Sequence, residues 1–96
     1  MSLSTHVLDA EAGRPRVGVP VRLERDGAVL ADGVTDDDGR LRFAAELSPG
    51  VHRLVFLVDT PFYPEITVTF RVTGDPKHLH VPILLSPFAF TTYRGS

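Results

Sequence analysis

Four histidines and nine arginines give this chain its proton-transfer and anion-binding capacity, and their spacing sorts them. His78-x-His80 puts two imidazoles on the same side of any strand they belong to. Metal sites use that spacing, but further ligands would be needed, no cysteine exists to supply them, and Asp75 falls in a turn. No metal site is expected. Asp36-Asp37-Asp38-Gly39 looks like part of a calcium loop, yet aligning Gly39 as the loop glycine leaves Val34 and Ala45 at the two end ligand positions. It reads instead as a turn whose Asp side chains bond nearby amides and whose Gly39 takes a positive φ. That turn delivers Arg40 to the start of the next strand, where an arginine is either a solvated charge or a site cation. His6, in the first strand, is open to two readings: a reactive imidazole, or a partly buried one bonded to a backbone carbonyl. His52, in mid-strand, reads as structural. The last residues, Tyr93-Arg94-Gly95-Ser96, place a phenol, a guanidinium, a flexible glycine and a hydroxyl beside a free carboxylate, directly after a strand-like run.

Composition narrows the function classes. With 96 residues and 43% apolar content, one globular domain spanning 1–96 is expected, small enough for subunit association to matter. A net charge of -2 with no basic stripe speaks against a nucleic-acid partner. No apolar run reaches the length of a membrane span, and the first residues lack the pattern of a signal peptide, so a soluble, cytoplasmic protein is the default.

The elements that must position these groups are β throughout. Val19, Val21 and Leu23 alternate with Pro20, Arg22 and Glu24, and Ile66, Val68, Phe70 and Val72 alternate with polar residues. Val51–Val58 is more continuously apolar and reads as a central strand. Asp26-Gly27, Asp32-Gly33, Asp38-Gly39, Pro49-Gly50 and Gly74-Asp75-Pro76 punctuate the runs. This is the rhythm of an all-β antiparallel sandwich of seven or eight strands. Near the end, Leu79, Val81, Ile83 and Leu85 face the core, which sends His78, His80, Pro82 and Leu84 to the other side. A face mixing imidazoles with apolar groups suggests a subunit interface, a ligand channel, or both.

Leu3-Ser4-Thr5-His6-Val7-Leu8-Asp9, Thr35-Asp36-Asp37-Asp38-Gly39-Arg40, His78-Leu79-His80-Val81-Pro82 and Leu84-Leu85-Ser86-Pro87 with the final Tyr93-Arg94-Gly95-Ser96 together resemble one family. They are similar to the 5-hydroxyisourate hydrolases, the transthyretin-related enzymes of urate degradation. The resemblance runs from Leu3 to Ser96. It implies a transthyretin-like (prealbumin-like) sandwich, a homotetramer built as a dimer of dimers, and sites in channels at the dimer–dimer interface. One departure stands out. Where the family carries a short helix after the strand matching Val51–Val58, this chain has Pro61-Phe62-Tyr63-Pro64, and two prolines so close leave no room for it. A smaller one is Ala89-Phe90-Thr91, where the family more often has Gly-Tyr-Ser.

The activity so implied is hydrolytic opening of 5-hydroxyisourate to 2-oxo-4-hydroxy-4-carboxy-5-ureidoimidazoline, without metal or organic cofactor. Water attacks a ring carbonyl and the ring nitrogen leaves. By resemblance, His6, Arg40, His80 and Ser96 are catalytic, and His6, Arg40, Tyr93, Arg94 and Gly95 hold the substrate. His80 and His6 would activate the water and return its proton to the leaving nitrogen, in an order the residues leave open. Arg40 would stabilise the oxyanion and keep a neighbouring imidazole basic. Two alternatives remain: a transthyretin-type carrier using the same channel for a small aromatic ligand, and an inactive paralogue whose altered edge prevents assembly.

Overall fold

A computed structural model describes residues 2–95, and these form two β-sheets with no helix among them. Ten strand segments follow one another: β1 Ser2–Asp9, β2 Arg14–Pro15, β3 Pro20–Arg25, β4 Ala28–Val34, β5 Arg40–Phe43, β6 Gly50–Phe56, β7 Ile66–Val72, β8 His78–His80, β9 Ile83–Leu85 and β10 Phe90–Thr92. One sheet runs β4-β3-β6-β7, wholly antiparallel, with β6 central as its apolar run requires. The other is organised around β1, which pairs with β2 and β5 antiparallel and with β8 and β9 parallel, while β10 extends β9. The sandwich is therefore the expected one, antiparallel except where β1 meets β8 and β9.

The segment count exceeds seven or eight partly because a single run is divided. Residues 78–85 keep one register against β1, from Ser2↔His78 to Asp9↔Leu85, but the ladder lapses at Val81-Pro82. Pro82 has no N–H to contribute. Side-chain hydroxyls serve the carbonyls there: Thr5 Oγ1 donates to the Val81 carbonyl at 2.6 Å and Thr92 Oγ1 to the Pro82 carbonyl at 2.8 Å.

Alternation in each sheet sends one set of side chains inward. Leu3 and Val7 from β1, Val21 and Leu23 from β3, Leu54 and Phe56 from β6, and Ile83 and Leu85 from β9 are almost wholly excluded from solvent and pack as one cluster. His52 belongs to this interior, fully buried as a structural histidine should be. Its ring stacks on Phe70 at 5.8 Å, and its Nδ1 lies 3.3 Å from the Gly50 carbonyl.

The connection from β6 to β7, residues 57–65, is tight and carries no helix. Thr60 closes it by accepting the Tyr63 N–H on Oγ1 at 2.8 Å and donating its own N–H to the Tyr63 carbonyl at 2.8 Å. Asp59 enters the turn at a φ of +50°. Phe62, Tyr63, Phe88 and Phe90 form a chain of ring contacts over the same end of the molecule.

Core and ladder devices should separate in magnitude. Phe56→Ala should cost about 3–5 kcal/mol, whereas the isosteric Thr5→Val, which deletes one buried hydroxyl bond, should cost about 1 kcal/mol. Urea denaturation of both variants checks the ranking; a Thr5→Val loss as large as that of Phe56→Ala would contradict it.

Candidate active site

Three neighbouring strands build the site by register alone. β1 pairs Ser4 with Arg42 and His6 with Arg40 on β5, and on its other side pairs Ser2 with His78 and Ser4 with His80 on β8. Directly paired residues project to the same face of a sheet. Since Leu3, Thr5 and Val7 turn inward, the outer face becomes a grid: Arg40 and Arg42, then Ser2, Ser4 and His6, then His78 and His80. Arg40, Arg42, Ser4, His78 and His80 of this grid line an open concavity of about 640 Å³, to which Asp36, Tyr93 and Gly95 also contribute, while Ser2 and His6 share the sheet face without lining it.

The turn ahead of β5 delivers Arg40 as the sequence suggested. Asp36 Oδ1 accepts the N–H groups of Asp38 and Arg40, both at 2.9 Å, while the Asp36 N–H bonds the Arg40 carbonyl at 2.8 Å. Gly39 sits at a φ of +74°, and a Cβ there would lie 2.6 Å from the Val7 carbonyl oxygen. Only glycine lets this turn lie flat against β1.

His6 and His80 are each half-buried and each anchored by one ring nitrogen. His6 Nε2 lies 2.8 Å from the Asp38 carbonyl and donates to it, since that oxygen can only accept. The carbonyl-bonded reading of His6 is thus realised, and it leaves Nδ1 with the lone pair in the neutral ring. His80 Nδ1 lies 2.8 Å from Ser4 Oγ. Burial holds the His80 pKa below the ordinary histidine value, and the positive charge of Arg40, then any proton gained by His6 or His78, pushes the same way; the Ser4 carbonyl opposes them. The neutral form of His80 is thereby favoured.

The segment after β10 folds back over His80. The Gly95 N–H donates to the His80 carbonyl at 2.8 Å, and a Cβ on Gly95 would fall 2.5 Å from the His80 ring. The glycine is what allows backbone to lie against the imidazole. Tyr93 borders the concavity, but Arg94 is exposed and lines a smaller apolar hollow of about 250 Å³ with Val68, Phe70, Leu79 and Val81. The fold thus brings Arg40, His80, Tyr93 and Gly95 together with His6 alongside, and leaves Arg94 apart. Ser96 lies outside the described residues. Of the mixed face expected beyond β8, His78 and Leu84 are exposed, whereas Pro82 is buried.

Sequence reasoning passed over Ser4 and Arg42. Ser4 was detectable by parity, because it stands two residues before His6 on the same strand. Arg42 was open to the same parity argument from Arg40, but that β5 lies beside Ser2 and Ser4 depends on which strand it joins. Among the described residues no group of three or more His, Asp or Glu side chains is placed to hold a metal ion.

The chain is similar to known proteins over almost its whole length. Residues 3–95 match the model of the HIUase/Transthyretin family. The chain is 40% identical to the 5-hydroxyisourate hydrolase of Caulobacter vibrioides, covering 98% of this chain and 97% of that protein. It is 38% identical to the mouse (Mus musculus) enzyme of the same name, over 98% and 94%. The solved 5-hydroxyisourate hydrolase of Klebsiella pneumoniae superposes with a TM-score of 0.89 at 35% identity, covering 99% of this chain and 98% of that one. The Caulobacter alignment extends over 112 residues against 96 here, so the relative carries segments that this chain lacks. A shortened β6–β7 connection agrees with that difference.

Two measurements check the site's electrostatics and packing. An NMR titration should put the His80 midpoint below 6.5, and Arg40→Gln should move it upward, because removing a nearby cation relieves the imidazolium. A downward or absent shift would contradict the charge placement. Gly95→Ala should displace the His80 ring and perturb its resonances while leaving the thermal midpoint nearly unchanged.

Proposed function

This chain belongs to the HIUase/Transthyretin family, and from that membership and the site's geometry we propose that it hydrolyses 5-hydroxyisourate to 2-oxo-4-hydroxy-4-carboxy-5-ureidoimidazoline in urate degradation. The observation that carries the reading is the convergence of His6, Arg40 and His80 on one face of three adjacent strands. Opening a cyclic amide needs those three capacities together: a base for water, a cation for the oxyanion, and a proton for the leaving nitrogen.

In this mechanism the planar substrate lies in the concavity between Arg40 and His80, with Tyr93 and the Gly95 backbone as its wall. One imidazole draws a proton from the attacking water, and the tetrahedral oxyanion forms against the Arg40 guanidinium. The ring C–N bond then breaks and the nitrogen takes a proton from the other imidazole. Arg40 acts twice, because the charge that stabilises the oxyanion also keeps His80 neutral before the reaction. Arg94 and Ser96 complete the substrate wall in this reading, which requires the final segment to close over the ligand.

The same reading includes a single domain over residues 1–96, a cytoplasmic location, and a dimer of dimers with sites at the interface. Support for assembly lies in what one chain leaves uncovered. β10 is a sheet edge, Tyr93 is 59% exposed at the border of the concavity, and Phe88 is 70% exposed beside the β6–β7 connection. Light scattering should give four chains per particle; a monomer with full activity would overturn that part.

Generating 5-hydroxyisourate from urate with urate oxidase and following its decay by ultraviolet absorbance tests the activity. The wild type should greatly accelerate decay. Arg40→Ala should lose about 2.7–4 kcal/mol of transition-state stabilisation, on the order of a hundredfold or more in kcat, and His80→Ala should be similarly impaired. Decay at the spontaneous rate with folded wild type would sink the assignment.

A further inference from the structure

His80 does not end at Ser4. Ser4 Oγ also lies 3.0 Å from Nε2 of His78; Nδ1 of His78 is hydrogen-bonded to Ser2 Oγ; and Ser2 Oγ accepts from Nη2 of Arg42 at 3.2 Å. Five side chains from three strands thus form an unbroken chain, Arg42–Ser2–His78–Ser4–His80, leading from the exposed rim to the half-buried imidazole. Each link follows from the pairing of Ser2 with His78 and of Ser4 with both His80 and Arg42.

We propose that Arg42 gives this chain a direction, holding His80 in its Nε2–H form and making His80 the proton donor to the leaving ring nitrogen, with His6 the base for water. The role in catalysis rests on the hydrolase reading above; the direction of the chain does not. Guanidinium only donates. Its bond occupies a lone pair of Ser2 and its charge turns the Ser2 proton away, toward Nδ1 of His78. With Nδ1 an acceptor, neutral His78 carries its proton on Nε2 and donates it to Ser4. Ser4 has a single proton, and it passes to Nδ1 of His80. His80 then carries its own proton on Nε2, the nitrogen not engaged with Ser4. The Ser4 carbonyl, which favours the protonated His80 ring, already accepts the Val81 N–H at 2.9 Å. His6 is set the opposite way, because its Nε2 proton is committed to the Asp38 carbonyl and Nδ1 keeps the lone pair.

The proton count closes. Nε2 of His80 gives its proton to the nitrogen as the C–N bond breaks. Nδ1 of His80 takes the Ser4 proton, Ser4 takes the Nε2 proton of His78, and Nδ1 of His78 takes the Ser2 proton. Ser2 is refilled by solvent water. The hydroxide left in solvent is neutralised by the proton that His6 drew from the attacking water. When product departs, water in the site reprotonates Nε2 of His80 and the chain runs back. Every histidine begins and ends neutral, which a lone imidazole acting as acid would not achieve. Ser2, Ser4, His78 and Arg42 are positioning residues in this scheme.

Nitrogen-15 chemical shifts of the histidine rings, recorded at pH 8 on the full chain and assigned with single-histidine variants, read the tautomers directly. The wild type should show His80 with its proton on Nε2. Arg42→Glu replaces a donor by an acceptor that draws the Ser2 proton, so the whole chain should reverse and His80 should become the Nδ1–H form. Arg42→Lys should leave the wild-type tautomer in place. His78→Phe, at an exposed position, should lower kcat on the order of ten- to a hundredfold with KM little changed, a part of the contribution proton transfer makes. An Nδ1–H form of His80 in the wild type, or no reversal in Arg42→Glu, overturns the proposal whatever the activity. Expected tautomers with no turnover by the wild type would instead sink the hydrolase reading, and the proton-donor role with it.

Discussion

The register of β1 is the constraint on which everything else rests. This strand is paired on both sides, antiparallel to β5 and parallel to β8 and β9. Its odd residues Leu3, Thr5 and Val7 are wholly buried, so its even residues must take the sheet face that carries the site. A slip by one position would bury Ser4 and His6 and expose the core set, at the cost of both packing and chemistry. Core and site therefore enforce the same alignment, and the polar face gains its precision from the apolar one.

That alignment explains how so small a chain keeps a polar constellation in order. Side chains on paired strands need no long loops to bring them together, because the ladder spacing sets their distances. Where the ladder lapses, at Val81-Pro82, the hydroxyls of Thr5 and Thr92 bond the carbonyls. The lapse follows directly after His80, so the strand can accept the backbone of Gly95 against the imidazole without losing its register. The contact needs a residue without a side chain, and a local backbone requirement thus becomes part of the site.

The shortened β6–β7 connection lies away from this grid. Its hydrogen bonds run between Asp59, Thr60, Tyr63 and Pro64, and its aromatic rings meet Phe88 and Phe90. None of these residues lines the concavity holding His80 and Arg40. So short a connection suffices because β6 and β7 are consecutive antiparallel strands, for which a tight link is the natural one.

Much of this was legible in the residues. Alternating apolar runs and Asp-Gly turns marked a β-sandwich, since burial on one face has a period of two. Pro61 and Pro64 ruled out a helix between β6 and β7, and the motif resemblance drew attention to His6, Arg40 and His80. The parallel pairing of β1 with β8 was not legible, because periodicity says which face a residue takes and nothing about which strand lies beside it. For the same reason Ser2, Ser4 and Arg42 looked unrelated to the His78-His80 pair until pairing over some forty and seventy-six positions aligned them. Arg94 looked like part of the same wall as His80 and Arg40 until the fold placed it in the apolar hollow, which Tyr93 borders as well as the concavity. Local chemistry is written in single residues and their spacing; the hydrogen-bond chain behind His80 exists only through contacts between strands distant in sequence, which the packing of the whole core decides.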